Sequence, residues 1–127
     1  MPLVRVTGDR TVERLGAIGE AVHAAMVETL GVPADDVFRV LQAVSEGGIV
    51  ADPGYLGIAR IDPVFVEITL RAGRTDERKR AFYARAVALI AERTSTRAED
   101  VLIALRENGL ADWSFGNGIA QYAPAAE

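Results

Sequence analysis

Apolar and polar residues alternate with two different periods along this chain. Two stretches alternate every second residue and are rich in β-branched side chains, which predicts strands over Leu3–Thr7 and Val64–Leu70. Apolar residues recur every three or four positions between residues 15 and 30, and again between residues 82 and 90, which predicts two helices. Apolar runs at 37–44 and 101–105 predict two closing strands. The predicted order is therefore β-α-β followed by β-α-β.

Capping residues bound both predicted helices. Thr11 and Thr75 stand just before the helical patterns, where a threonine hydroxyl can accept a hydrogen bond from an exposed backbone N–H. Gly31, followed by Pro33, predicts the end of the first helix, because glycine tolerates the left-handed backbone that closes a helix and proline cannot continue one.

The two halves of the chain are related in sequence. Residues 4–41 and 68–105 align without a gap, and most of the identities cluster at the helix start and before the closing strand. The identical pairs are Arg10/Arg74, Thr11/Thr75, Glu13/Glu77, Arg14/Arg78, Ala17/Ala81, Ala24/Ala88, Glu28/Glu92, Ala34/Ala98, Asp36/Asp100, Val37/Val101 and Leu41/Leu105. We interpret this pattern as an internal duplication.

The duplication predicts an α/β (α+β) fold within a single domain. Two β-α-β units, about 2–44 and 64–106, form one four-stranded sheet with both helices on one face, because each crossover is parallel and right-handed. Residues 107–127 form a C-terminal aromatic arm. Apolar residues also occur on the strand positions that face away from the helices, so we expect other subunits to cover that face.

Composition narrows the possible functions. The 127 residues carry a net charge of −4 and a pI of about 5.0, which argues against a nucleic-acid or anionic-membrane surface. There is no cysteine and a single histidine, so we expect no disulfide, thiol nucleophile, iron–sulfur cluster or multi-histidine metal site within one chain. No apolar run approaches the length of a membrane span, and no signal peptide opens the chain. We expect a cytoplasmic protein.

Three residues are candidates for chemistry, and each also has a structural interpretation. Pro2 suits the start of a strand, but removal of Met1 would make it a terminal secondary amine able to act as a base, an acid or a nucleophile. Asp36 could hold that amine in its charged form, or cap a turn as its repeat mate Asp100 could. Arg74 could bind a carboxylate beside a helix N-terminus, or be architectural like its mate Arg10.

The chain resembles the tautomerase superfamily, whose members are built from β-α-β units and use an amino-terminal proline. Within it, the resemblance to the malonate semialdehyde decarboxylases covers nearly the whole chain: PLVRV at 2–6, AVHAAMVETLGVPADD at 21–36, AGRT at 72–75 and ENGLADWSFGNGIAQY at 107–122. DWSFG is the most specific of these motifs.

The resemblance implies a homotrimer that acts on a small carboxylate substrate without a cofactor or metal. It implies Pro2, Asp36 and Arg74 as catalytic residues and an aromatic wall at Trp113 and Phe115, with a further aromatic at Tyr122. The decarboxylase pattern has two arginines one residue apart, whereas here Ala72 takes the first place and Arg71 stands three residues before Arg74. That spacing resembles the cis-3-chloroacrylic acid dehalogenase branch, and it makes Arg71 a second candidate for carboxylate binding.

Three functions remain open at this point. The leading one is decarboxylation of malonate semialdehyde to acetaldehyde and CO2. The second is a keto–enol tautomerase, or a hydratase, of a small unsaturated 2-oxo or 3-halo acid. The third is a non-catalytic trimeric binding protein, which retention of Met1 would favour because it would block the amine of Pro2.

Overall fold

In the computed structural model, which describes residues 2–126, two antiparallel strands form the centre of the sheet. They are β1 (Leu3–Gly8) and β3 (Val64–Arg71). Strand β2 (Arg39–Ala43) lies parallel to β1 at one edge, and β4 (Val101–Asn108) lies parallel to β3 at the other. The order β2-β1-β3-β4 confirms the predicted four-stranded sheet built from two β-α-β units.

Helices α1 (Val12–Leu30) and α2 (Asp76–Arg93) pack side by side on one face of the sheet. Alternate residues of the central strands point toward them and are buried, whereas the residues between are partly or largely exposed. The core is formed by buried side chains of both strands and both helices, among them Val6, Val66, Leu15, Ile18, Phe82 and Ile90. Neither helix is long and apolar enough to cross a bilayer.

The repeat is visible in the strand register as an approximate twofold axis. Val4 and Ile68 are repeat mates and face each other across β1 and β3, and the pair Leu3–Thr69 has the pair Glu67–Arg5 as its mate. The edge strands depart from this symmetry. Val4 faces Arg39, whose repeat mate is Ile103, but Ile68 faces Leu105, which lies two residues beyond Ile103. The symmetry therefore holds for the centre of the sheet and places equivalent loops at its opposite ends.

The predicted edge strands differ from the observed ones in length. Strand β2 begins at Arg39, two residues after the predicted start, because the chain makes a turn in which the Asp36 N–H donates to the Pro33 carbonyl at 3.1 Å. Strand β4 continues beyond Leu105 to Asn108, since Asn108 still pairs with Arg71 and accepts a hydrogen bond from the Ala72 N–H at 2.8 Å. The aromatic arm therefore starts from a paired strand.

The sheet face opposite the helices mixes apolar and charged side chains. Leu3, Val40 and Leu102 are about 40% exposed on this face. Charged and polar pairs cross the same face: Arg106 forms an ion pair with Glu67, and Arg5 donates to Gln42 at 3.4 Å. The face is thus less apolar than a core layer.

The helix ends confirm the predicted caps. The Thr11 hydroxyl accepts a hydrogen bond from the Arg14 N–H, and the Thr75 hydroxyl accepts one from the Arg78 N–H, both at 3.2 Å. Gly31 closes α1 with φ +70°, in the left-handed region that glycine adopts without strain.

Thr11→Ala should therefore lower the free energy of unfolding by about 1 kcal/mol, the usual contribution of a threonine cap. Denaturant unfolding followed by circular dichroism measures this loss. Thr11→Ser keeps the hydroxyl and is the control; an equal loss in both variants would contradict the cap assignment.

Candidate active site

Pro2 lies at the start of the central strand β1, at one end of the sheet. It is buried and directly precedes Leu3, which pairs with Thr69 of β3. Val4, two residues after Pro2, donates its N–H to the Phe38 carbonyl at 3.0 Å. The residues just before β2 therefore lie against this end of β1. Met1 lies outside the described residues.

Asp36 lines the same small cavity as Pro2. The other side chains around it come mainly from α1 and the start of β2: Val4, His23, Met26, Val37, Phe38 and Arg39, with Gly19. Asp36 is 9% exposed, and its Oδ1 is buried with no hydrogen-bond partner among residues 2–126. Burial raises the pKa of the Asp36 carboxyl, and the negative charge of neighbouring Asp35 adds to the rise.

His23 holds the turn that carries Asp36. Its Nε2 lies 2.8 Å from the carbonyl oxygen of Ala34, and since a carbonyl only accepts, this ring nitrogen is the protonated one. The ring is therefore engaged in positioning the 33–36 turn.

Asp100, the repeat mate of Asp36, shows what a purely structural aspartate does in this fold. It is 3% exposed, and its Oδ1 accepts hydrogen bonds from the backbone N–H groups of Ile61 and Asp62, at 2.8 and 3.2 Å. Arg97 reaches both of its carboxylate oxygens at 3.4 Å. The contrast matters because Asp100 has partners for both carboxylate oxygens, whereas Asp36 Oδ1 has no donor in the described part of the chain.

Arg71 and Arg74 lie at the C-terminal end of β3, beside a second, wide cavity of about 430 Å³. Arg78 and Gly31 also line it. Arg74 directs its guanidinium at backbone carbonyls: Nη1 donates to Arg71 at 3.0 Å, and Nε and Nη2 donate to Leu30 at 3.4 Å. Arg78 does the same to Thr29 at 3.2 Å, so it is not merely a solvated residue of the helix face.

The arginine-lined cavity is electropositive. Burial lowers the pKa of Arg74, and the charges of Arg71 and Arg78 lower it further, although a guanidinium stays protonated at neutral pH. Among residues 2–126, none of these three arginines has a carboxylate oxygen within ion-pair distance. The negative charge of Glu107 opposes the lowering of the Arg74 pKa, but its carboxylate is ion-paired with Lys79. Three positive charges with so little counter-charge favour an anion in the cavity.

The three aromatic residues predicted for the arm form one cluster. Trp113 stacks on Phe115 with ring centroids 5.3 Å apart, and Tyr122 meets the same ring edge-on at 5.0 Å. Trp113 is fixed by a hydrogen bond from Nε1 to Asn108 Oδ1 at 2.7 Å. The Gln121 side chain bridges the arm, since it accepts from the Phe115 N–H at 2.9 Å.

A third cavity, of about 450 Å³, opens beside this cluster. Its lining consists of Leu3, Phe38, Thr69, Asn108, Asp112, Trp113, Ser114 and Phe115. Phe38 belongs to this cavity and to the one that Pro2 lines, and its ring lies 6.0 Å from that of Phe115. The aromatic cavity and the Pro2–Asp36 cavity are therefore neighbours that share a wall.

The predicted site residues thus fall into two groups within one chain. Pro2 and Asp36 line one cavity, with the aromatic cluster beside it, whereas Arg71 and Arg74 line another that shares no residue with the first. Sequence reasoning did not include Phe38 or Asn108. Phe38 lay within a run predicted as strand, and Asn108 lay beyond its predicted end, so only the observed register places them here.

Two family models, both described as tautomerase enzyme, match residues 38–116 and 2–58 of this chain. Together with the relatives below, they show that the chain belongs to the tautomerase family. Probable tautomerase YusQ of Bacillus subtilis (strain 168) is 36% identical over 95% of this chain and 98% of its own. Probable tautomerase YrdN of the same organism is 30% identical, with 96% of each chain covered.

Solved structures place the chain beside malonate semialdehyde decarboxylases. FG41 malonate semialdehyde decarboxylase inhibited by 3-bromopropiolate is 40% identical and superimposes with a TM-score of 0.86, covering 94% of this chain and 93% of that one. A second malonate semialdehyde decarboxylase, solved as a structural basis for decarboxylase and hydratase activities, is 32% identical with a TM-score of 0.85, covering 94% and 95%. Both structures therefore resemble this chain in sequence as well as in fold.

Replacement of the two aspartates should have opposite effects on stability. The pKa of Asp36 is raised in the folded chain, so its contribution to stability falls as pH rises through that pKa. In protein that retains Met1, Asp36→Asn removes a buried charge whose Oδ1 has no hydrogen-bond partner among residues 2–126, and the stability of the variant relative to wild type should increase as pH rises from about 4 to 7.

Asp100→Asn is the matched control. It weakens hydrogen bonds to a charged acceptor, each of which contributes about 1.5–3 kcal/mol, and should destabilise the protein at pH 7. Thermal unfolding of both variants across pH measures the difference. Destabilisation of Asp36→Asn equal to that of Asp100→Asn would show that both aspartates are structural.

Proposed function

We propose that this chain is an amino-terminal-proline enzyme that decarboxylates malonate semialdehyde to acetaldehyde and CO2 without a cofactor. The observation that carries the proposal is the buried Asp36 carboxylate, which lines the Pro2 cavity with one oxygen that has no hydrogen-bond partner among residues 2–126, whereas its mate Asp100 accepts hydrogen bonds on both oxygens. Leaving a buried acceptor unmet costs stability, so its retention supports a functional role.

Removal of Met1 would make Pro2 a secondary ammonium or amine, and Asp36 would decide between them. A carboxylate close to the amine favours the cation, and the ammonium would in turn supply the donor that Asp36 Oδ1 lacks. The apolar neighbours Met26, Val37 and Phe38 act in the opposite direction, because they disfavour charge. The cationic state is the one that the decarboxylase scheme requires.

In this scheme, the Pro2 ammonium donates a hydrogen bond to the aldehyde oxygen of the substrate. The bond between C1 and C2 breaks and CO2 leaves. The electron pair of that bond stays with C2 and forms the enolate, whose oxygen the same ammonium stabilises. Protonation of the enolate at C2 then gives acetaldehyde. A route through an iminium adduct between Pro2 and the aldehyde is the alternative use of the same amine.

Arg74, with Arg71 beside it, would bind the substrate carboxylate. Their cavity is electropositive and holds no ion-paired carboxylate among residues 2–126, which suits a small anion. Trp113, Phe115 and Tyr122 would form the wall that excludes water. Removing water from around a carboxylate favours the loss of CO2, because the charge of the carboxylate is less well stabilised there.

We also propose that the chain works as a homotrimer. A fused 4-OT described as a symmetric trimer is 26% identical to this chain and covers 92% of it with a TM-score of 0.72. Within one chain, Pro2 and Arg74 line separate cavities, so sites near subunit boundaries would bring binding and reacting groups together. The sheet face that carries Leu3, Val40 and Leu102 would be covered in such an assembly.

The second candidate function is a tautomerase or hydratase of a small unsaturated acid. Two observations favour it: both curated relatives are named probable tautomerases, and the second of the two decarboxylases is described as having a hydratase activity as well. A tautomerase would use neutral Pro2 as a base, so the charge state of Pro2 separates it from the decarboxylase.

The pKa of the Pro2 amine is the measurement that separates these functions. In uniformly nitrogen-15-labelled protein, a Pro2 signal that titrates well above neutral pH is expected, because Asp36 favours the cation. Asp36→Asn should lower that pKa. A Pro2 pKa near or below neutral would favour the tautomerase. The absence of a titrating amine, with Met1 present in the intact mass, would favour a non-catalytic binding protein.

Loss of either Pro2 or Arg74 should abolish most turnover of malonate semialdehyde. Pro2→Ala and Arg74→Ala are each expected to lower kcat/KM by about 10²–10⁴, the range for removal of a positioned acid or a charge-stabilising donor. Arg74→Lys should recover only part of the loss, because lysine cannot bind a carboxylate with two parallel hydrogen bonds.

Arg80→Ala is the matched control for loss of charge. Arg80 lies on the same helix as Arg78 and has no hydrogen bond or ion pair among the described residues, so turnover should stay within a factor of about two of wild type. Circular dichroism melting of each variant checks that it is folded. Full activity of Pro2→Ala or Arg74→Ala would overturn the scheme.

A further inference from the structure

Arg10 is a buried guanidinium at the opposite end of the sheet from Pro2. Its side chain is 3% exposed, and its Nη2 donates to the carbonyl oxygen of Asp62 at 2.9 Å. Nε and Nη1 are buried without a hydrogen-bond partner among residues 2–126. A buried cation needs a counter-charge, and the nearest one is the carboxylate of Asp62, whose Oδ2 lies 3.5 Å from Nη2.

Arg10 and Arg74 hold equivalent positions in the two repeats. Each lies between the end of a central strand and the cap of the following helix, and the antiparallel pairing of β1 with β3 puts them at opposite ends of the sheet. Their surroundings differ in one respect. Arg74 faces a cavity of about 430 Å³ and has no carboxylate partner among the described residues, whereas Arg10 is in contact with Asp62.

Asp62 is held in place independently of its own side chain. Its backbone N–H donates to Asp100 Oδ1 at 3.2 Å, and its carbonyl accepts from Arg10. The side chain is 52% exposed, so the carboxylate bridges a buried cation and solvent. Asp62 therefore presents a carboxylate to Arg10 in the way that a bound small acid would present its own.

We propose that the Arg10 end of the sheet is a second carboxylate-binding site, which the chain itself occupies with Asp62. The class of ligand is a small monocarboxylate. Removal of the Asp62 carboxylate would leave Nη2 of Arg10 without its anionic partner, and a carboxylate from solution would take that place. The comparison with Arg74 rests on the proposed function, but the contact between Arg10 and Asp62 does not.

Asp62→Ala tests the proposal, because it removes only the carboxylate and keeps the backbone groups that bind Asp100 and Arg10. The probe is sodium acetate at pH 7, compared with sodium chloride at equal ionic strength. Acetate should raise the melting temperature of Asp62→Ala in a saturable way, by at least about twice the shift it causes in wild type. It should also shift the Nε–Hε nuclear magnetic resonance signal of Arg10 in the variant and leave that signal unchanged in wild type.

Asp52→Ala is the matched control, since Asp52 lies in the same connection and its carboxylate accepts only from the Gly54 N–H among the described residues. It should respond to acetate as wild type does. Asp62→Asn, which keeps the side-chain volume, serves if the alanine variant is too unstable to study. Acetate binding at Arg71 and Arg74 is common to all these proteins and cancels in the comparison. Equal responses of Asp62→Ala and wild type, or an unmoved Arg10 signal, would overturn the proposal whatever the outcome for turnover.

Discussion

The antiparallel pairing of β1 with β3 is the constraint on which the rest of the molecule depends. It places Val4 opposite its own mate Ile68, so the two β-α-β units become related by an approximate twofold axis. Each unit then has its turn from strand to helix at the end where the other unit begins. As a result, Arg74 lies near the entry to β1, and Arg10 lies near the entry to β3.

This arrangement explains why duplicated residues acquire different environments. Asp100 and Arg10 both contact the connection that enters β3, where Asp62 satisfies Asp100 with its N–H and faces Arg10 with its carboxylate. Asp36 has no such donor for its Oδ1 among the described residues, and Arg74 has no such carboxylate. The connection that enters β3 therefore supplies an N–H donor to the aspartate and a carboxylate to the arginine at one end of the sheet, and among the described residues Asp36 Oδ1 and Arg74 lack these partners at the other.

Periodicity and the repeat predicted the architecture because both report local and symmetric features. The caps at Thr11 and Thr75, the left-handed Gly31 and the order of four strands depend on neighbours in sequence or on the duplication. The extension of β4 to Asn108 and the two-residue difference in edge-strand register depend on pairing across the sheet, which no local pattern encodes. Phe38 and Asn108 were missed for the same reason.

The candidate site shows the same difference. The sequence predicted which residue types take part, but not where the fold places them. The resemblance assigned Pro2, Asp36 and Arg74 to one site, and the spacing of Arg71 from Arg74 added Arg71, yet within one chain these residues line two cavities that share no residue. The backbone contacts of Arg74 with Arg71 and Leu30 show that this arginine also ties the end of α1 to the end of β3. These contacts hold the guanidinium rigidly, because the donors that anchor it restrict where its remaining N–H groups point. Such rigidity favours the carboxylate binding that we propose for Arg74, since the strength of a paired hydrogen bond depends on the fixed geometry of the guanidinium.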